Sequence, residues 1–172
     1  MSKKKPSTTP TVRMAGAGDV GEPATRVLRN FRLVFNAVKT HFRQVERRAG
    51  VGGAQLWALS IIRSQPGIGI NELARAMDVQ QSTASNLIKA LSQREMVTAE
   101  KSGADRRAVQ LRLLPAGSDV LRKAPGPFSG VLPDALSGLD PKTLKRLDED
   151  LGKLIKALGA DERAARIPLA QL

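Results

Sequence analysis

The sequence predicts a mainly helical fold carrying one short β-hairpin, and three observations predict it. Apolar residues recur at steps of three and four along most of the chain, the signature of helices with one buried face. A single stretch, Ala108 to Leu114, alternates instead: Val109, Leu111 and Leu113 point one way, Gln110 and Arg112 the other. Glycine and proline cluster between these stretches, at 50–53, 66–67 and 125–127.

Residues 1–22 show no apolar period and are rich in Lys, Pro, Thr and Gly, the composition of a disordered basic arm, assigned to 1–23. Gly16 to Gly21 spells G-x-G-x-x-G, but no strand precedes it, so the phosphate-cradling geometry lacks its scaffold. From Ala24 the residues Leu28, Phe31, Val34, Phe35, Val38, Phe42 and Val45 mark one face of a long helix, which Gly50, Gly52 and Gly53 end. A second helix is expected from about Ala54 to Ser64, with Trp57, Ile61 and Ile62 buried, and Pro66-Gly67 stops it. Two short helices follow, Ile70 to Met77 and Gln81 to about Arg94, then strands Val97 to Glu100 and Ala108 to Leu114. A helix after Pro115 runs to Lys123, where Pro125-Gly126-Pro127 breaks it. A piece resuming near Phe128 or Pro133 ends at Gly138. The last helix has Asp140 as its cap, Pro141 in the first helical position and Gly159 as its stop. Its Leu144, Leu147, Leu151, Leu154 and Leu158 form a heptad-like seam that needs a partner helix.

Composition narrows the function classes. The 172 residues hold 28 Lys+Arg against 16 Asp+Glu, a formal charge of +12, with an isoelectric point near 10.9. The excess sits mainly in residues 24–49, seven basic against one acidic, and 80–123, eight against four. A chain that basic suits a polyanionic partner: nucleic acid, or an anionic membrane surface. Cysteine is absent, which removes disulfides, thiolate metal sites and thiol switches, and a single histidine, His41, leaves no histidine-rich metal site or multi-histidine relay. No cofactor, no metal and no enzymatic activity are expected. The longest uncharged stretch, Ala49 to Ile62, is 14 residues, too short to span a bilayer. Lys3-Lys4-Lys5 lacks the apolar run of a signal peptide behind it, so a cytoplasmic location is expected.

The informative stretch is Ile70 to Arg112. Ala74 supplies the small residue at which two helices can cross closely, Leu73, Met77 and Val79 bracket the turn, and Ala84, Leu87, Ile88 and Leu91 give the second helix a buried face. Its opposite face begins Gln80, Gln81, Ser82, Thr83, Ser85, Asn86, then Lys89. Short hydroxyl and amide side chains at a helix N-terminus suit base edges and phosphates. A hairpin with a basic tip, Lys101 to Arg107, follows directly. A helix-turn-helix with a two-stranded wing is a winged helix-turn-helix DNA-binding module.

The words INELARAMDVQQSTASNLIKALSQREMV (Ile70 to Val97) and ADRRAVQLRLLPAG (Ala104 to Gly117), the latter holding Asp105-x-Arg107 and a closing Gly117, resemble the MarR family of winged-helix transcriptional regulators. The resemblance spans about Ala24 to Gly159. It implies a homodimer whose first and last helices interdigitate, bound to a pseudo-palindromic operator in double-stranded DNA. Carried over by position, it implies DNA contacts from Gln81, Ser82, Thr83, Ser85, Asn86 and Lys89, a wing arginine at Arg107 and a supporting acid at Asp105, with Arg106 as an added phosphate contact. The dimer interface would draw on Leu28, Phe31, Phe35, Leu144, Leu147, Leu151, Leu154 and Leu158. The implied organisation is a basic arm (1–23), a dimerisation helix (24–50), the winged module (51–117), C-terminal dimerisation helices (118–159) and a tail (160–172).

Such regulators often take an aromatic carboxylate or another small amphipathic molecule that loosens DNA binding, which implies a repressor released by a ligand. Trp57 then has two readings, a core residue or a wall of the effector pocket, and His41 and Arg43 could meet an anionic ligand. Two departures stand out: Leu114-Pro115 where the family often has a capping Thr, and the Pro125-Gly126-Pro127 break. Two rival classes remain, a sequence-tolerant DNA-coating protein and a ligand-binding dimer without DNA activity. A basic protein on an anionic membrane is a weaker third, since the first helix buries its apolar face better in a dimer.

Overall fold

The computed structural model describes residues 22–101 and 109–169. The order is α1 (Glu22–Ala49), α2 (Gly53–Ser64), α3 (Ile70–Ala76), α4 (Gln81–Gln93), β1 (Val97–Lys101), β2 (Val109–Leu113), α5 (Pro115–Lys123), α6 (Val131–Ser137) and α7 (Pro141–Leu158), followed by a 3₁₀ turn at Glu162–Arg166. The chain divides into two units, up to Leu33 and from Val34 onward. The first contributes the N-terminal stretch of α1, where Leu28 is exposed and Phe31 partly so. The expected basic arm at 1–23 lies almost wholly outside the described residues.

The core is built around α2. Leu56, Ala58, Leu59 and Ile62 are completely buried, and the helix packs against α3, α4, α5 and β2. Val45 and Val51 reach this core from α1 and the turn after it, Leu73 and Met77 from α3, Leu87, Ile88 and Leu91 from α4, and Leu111 from β2. Each such aliphatic side chain contributes about 1.5–3 kcal/mol when fully withdrawn from water. Of the three residues expected to be buried on α2, Ile62 is; Ile61 and Trp57 are only half-buried against the cluster. Trp57 has an open face because it borders a cavity, described below.

β1 and β2 pair antiparallel with Val97 opposite Leu113, Ala99 opposite Leu111 and Lys101 opposite Val109. The other edge of β2 is not free. Gly67 N donates to Leu111 O at 2.9 Å and Leu111 N to Ile68 O at 3.0 Å, so the α2–α3 connection serves as a two-residue third strand. No alternation marks Gly67-Ile68 in the sequence, and this pairing was not expected.

α5 starts against β1. Leu114 is extended (φ −94°, ψ 165°) and its N–H donates to Met96 O at 3.0 Å, and Pro115 takes the first helical position. Among the described residues no side chain caps this helix; Ser118 N donates to Leu114 O instead. Gly117 sits one turn in and is buried. A Cβ there would lie 2.4 Å from Met96 O and 2.8 Å from Leu113 Cδ1, so only glycine allows α5 to approach the strands this closely.

Beyond Lys123 the chain breaks as expected, and α6 resumes at Val131, between the two starting points the sequence offered. Phe128, in the connection, packs on the core with the Arg63 guanidinium 5.3 Å from its ring centre. α7 begins at Asp140, whose carboxylate accepts from Lys142 N, Thr143 N and the Thr143 hydroxyl; these bonds, the hydroxyl's first, hold its pKa below the ordinary 3.8. Gly159 ends it in the left-handed conformation (φ 59°).

Replacing Gly117 with alanine is expected to cost about 1–3 kcal/mol, as overpacking against fixed neighbours does. A Tm unchanged by Gly117→Ala in thermal unfolding would show that α5 is not held against the strands as described.

Candidate nucleic-acid interface

The arrangement of α3 and α4 follows from small residues and one unusual turn. Ala74 and Ala84 are both buried, and the two helices pack directly on one another. α3 opens at Gly69, whose N–H donates to Glu72 Oε2 at 2.9 Å. It closes through Met77 N to Leu73 O (3.0 Å) and Val79 N to Ala74 O (3.0 Å). Between these bonds Asp78 takes φ +50°, the left-handed conformation that Asn and Asp tolerate better than most residues. That one residue reverses the chain tightly enough to begin α4 three positions later.

α4 presents two different faces. Ala84, Leu87, Ile88 and Leu91 are buried, while Gln81, Ser82, Asn86 and Lys89 are exposed and Thr83 and Ser85 half-exposed. The structure thus brings these six sequence-identified residues together on the outer side of one rigid helix. Gln80 precedes it in extended conformation and makes no side-chain cap, and no acidic residue occupies the first turn. The first helical bond is Ala84 N to Gln80 O, which leaves the amide donors of Gln81, Ser82 and Thr83 outside the helical ladder. Such an end attracts anions through both its free donors and its dipole.

A groove beside this end is lined by Gln81, by Asn71, Glu72 and Arg75 of α3 and by Gln110 of β2. Asn71, Arg75 and Gln110 were not among the residues singled out from sequence. Asn71 and Arg75 lie in the same motif as Gln81 but on the preceding helix, and the packing of α3 on α4 sets them beside it, while the pairing of β2 with the 67–70 connection brings in Gln110. The hairpin carries a cross-strand ion pair, Arg112 to Glu100 at 3.5 Å, both exposed. Its tip, with Asp105, Arg106 and Arg107, lies outside the described residues.

A second feature is a cavity of about 210 Å³. Phe42 and Val38 of α1 and Trp57 of α2 form one wall. Met77, Asp78 and Val79, the turn that orients α4, form another. Residues 129–133 and the C-terminal stretch Ile167-Pro168-Leu169 complete it, with Pro168 buried. Gly130 lies 3.5 Å from the Phe42 ring, measured from the position a Cβ would take, and has φ +104°. Of the three candidate ligand residues, Trp57 lines this cavity; His41 and Arg43 do not. His41 is buried, its ring edge-on to Phe42 at 5.6 Å, and Arg43 is exposed.

The candidate interface residues are open in this single chain. Phe35 is 56% exposed and Leu158 71%, Leu147 and Leu154 are exposed, and Leu144 and Leu151 are half-buried. No residue of α7 is fully buried, although its leucines fall on one side of the helix. Among the described residues no group of acidic or His side chains could hold a metal ion, and no helix is long and apolar enough to cross a membrane.

Comparison with known proteins bears on the helix-turn-helix and its hairpin. Residues 54–109 match the MarR family. The HTH-type transcriptional repressor MdtR of Bacillus subtilis is 21% identical over 134 residues, which cover 78% of this chain and 86% of MdtR. A putative transcriptional regulatory protein for the hcr operon of Thauera aromatica is 29% identical over 118 residues, 64% of this chain and 71% of that protein. Among solved structures, an S. aureus MepR–DNA complex superposes with a TM-score of 0.54 at 18% identity, over 77% of this chain and 97% of that one. The shared fold is the winged helix.

The Asp78 turn yields a stability test. Asp78→Val forces a β-branched residue into the left-handed region and is expected to cost about 1–3 kcal/mol. Asp78→Gly, which adopts that conformation freely, is expected to leave the thermal midpoint of unfolding unchanged or raised; equal losses in both variants would contradict the turn.

Proposed function

We propose that this chain, whose residues 54–109 match the MarR family, is a homodimeric transcriptional regulator that reads a pseudo-palindromic operator, a repressor released by a small ligand rather than an enzyme. One observation carries the reading: α4 buries one face in the core and presents Gln81, Ser82, Thr83, Ser85, Asn86 and Lys89 from an uncapped N-terminus. A helix fixed from behind and furnished in front with short donors and acceptors can enter a major groove and meet base edges without rearranging. Arg75 on α3 adds a phosphate contact, and the family resemblance adds Arg107 as the wing arginine, Arg106 as a further phosphate contact and Asp105 as the supporting acid.

Dimerisation supplies what the single chain leaves open. The leucine side of α7 and the apolar residues of the N-terminal part of α1 expose surface that a second copy would cover, in keeping with dimer arms at 24–50 and 118–159 around the module at 51–117. Two reading heads then fall on successive half-sites. The cavity beside Trp57 is the effector site in this reading. Its wall includes the Asp78 turn, so a ligand that prefers one setting of that turn shifts the position of α4 and with it the affinity for DNA. MdtR, a transcriptional repressor, and the DNA in the MepR complex support the regulatory reading of α4. We place the protein in the cytoplasm, where its operator is.

The test is fluorescence anisotropy on the DNA upstream of the protein's own gene and on a scrambled duplex, at two salt concentrations. Asn86→Ala is expected to cost about 1–3 kcal/mol on the native duplex and little on the scrambled one. Arg75→Ala is expected to weaken both alike and to reduce the salt slope by about 1. Equal affinity of the wild-type protein for both duplexes, collapsing equally with salt, would replace operator reading by sequence-tolerant coating.

A further inference from the structure

The cavity beside Trp57 has a charge bias that runs against the chain as a whole. The protein carries +12, and residues 24–49, which supply part of the wall, are its most basic segment. Yet none of the described residues lining the cavity is Lys, Arg or His. Asp78 is the one ionisable residue among them and Ser129 the one hydroxyl; Phe42, Trp57, Val131 and Leu132 typify the rest. A carboxylate ligand would leave water for an apolar wall with no counter-charge and a like charge in Asp78, an uncompensated desolvation. A cation meets the opposite conditions. Asp78, an exposed residue at the cavity's edge, would set a carboxylate against it, and aromatic faces attract ammonium groups through their quadrupoles.

Resting on the effector reading above, we propose that this cavity takes a small aromatic or amphipathic cation, its ammonium group paired with Asp78 and its apolar body packed on Trp57 and Phe42. This reverses the aromatic carboxylate that the family resemblance implied. The volume, about 210 Å³, suits a ligand of one or two rings. Asp78 is also the residue that turns the chain between α3 and α4, so neutralising it acts directly at the joint of the reading head.

Trp57 is the only Trp of the chain and there is no Tyr, so intrinsic fluorescence reports this wall alone. Three probes of similar body are titrated into the full-length protein at about 0.15 M salt, where the long-range field of the chain is screened: benzyltrimethylammonium, benzyl alcohol and phenylacetate. The cation is expected to bind about tenfold more tightly than phenylacetate. Asp78→Asn keeps the left-handed turn and is expected to abolish that preference while benzyl alcohol binds as before, with thermal unfolding confirming that the variant is folded. Phenylacetate binding as well as or better than the cation would overturn the charge assignment and leave the effector reading standing. A preference surviving in Asp78→Asn would overturn the role of Asp78. If no probe perturbs Trp57, the cavity is not the effector site and both readings fall together.

Discussion

The withdrawal of α2 from water is the interaction on which the rest of this structure depends. A helix whose Leu56, Ala58, Leu59 and Ile62 are all fully buried has to be enclosed by other elements, and α3, α4, α5 and β2 each take one side of it. The hydrophobic effect is not directional, so it fixes that these elements gather but not their angles. The angles come from local steric facts: alanines at the crossing of α3 and α4, Asp78 in the left-handed turn, and Gly117 where α5 meets the Met96 carbonyl.

These steric facts are what connect packing to function. α4 is pinned by Leu87, Ile88 and Leu91 on one side, so its polar side is held in position before any partner arrives. Preorganisation of this kind lowers the ordering cost of binding, and it suits a helix that must match a groove. The cavity shares the Asp78 turn with this helix, which gives a ligand a short mechanical path to α4. No chain of intermediate residues is needed.

Much of this was legible in the sequence, for physical reasons that differ by element. The helices announced themselves through apolar spacing, and α7 through its cap, its first-turn proline and its terminal glycine; Asp140 and Gly159 act as those positions require. The polar face of α4 could be read because the buried positions of a helix define its exposed ones. Less legible were features made by tertiary contact. Gly67 and Ile68 pair with Leu111 without any strand-like alternation. Trp57 was expected in the core and packs against it only half-buried, because its other side borders a cavity that Ile167 to Leu169, a stretch with no helical or strand period, helps to line. Gly117 was visible as part of a motif, but its reason, a carbonyl 2.4 Å from where a Cβ would stand, belongs to three dimensions.

The central claim is that two copies of α4, each held rigidly by its own core, read DNA together. Hydroxyl-radical footprinting of the protein on the DNA upstream of its gene tests this most directly. Two protected clusters about one helical turn apart, roughly 10 base pairs and related by two-fold symmetry, are the predicted result. A single protected cluster, or uniform protection that follows protein concentration along the whole duplex, would contradict it.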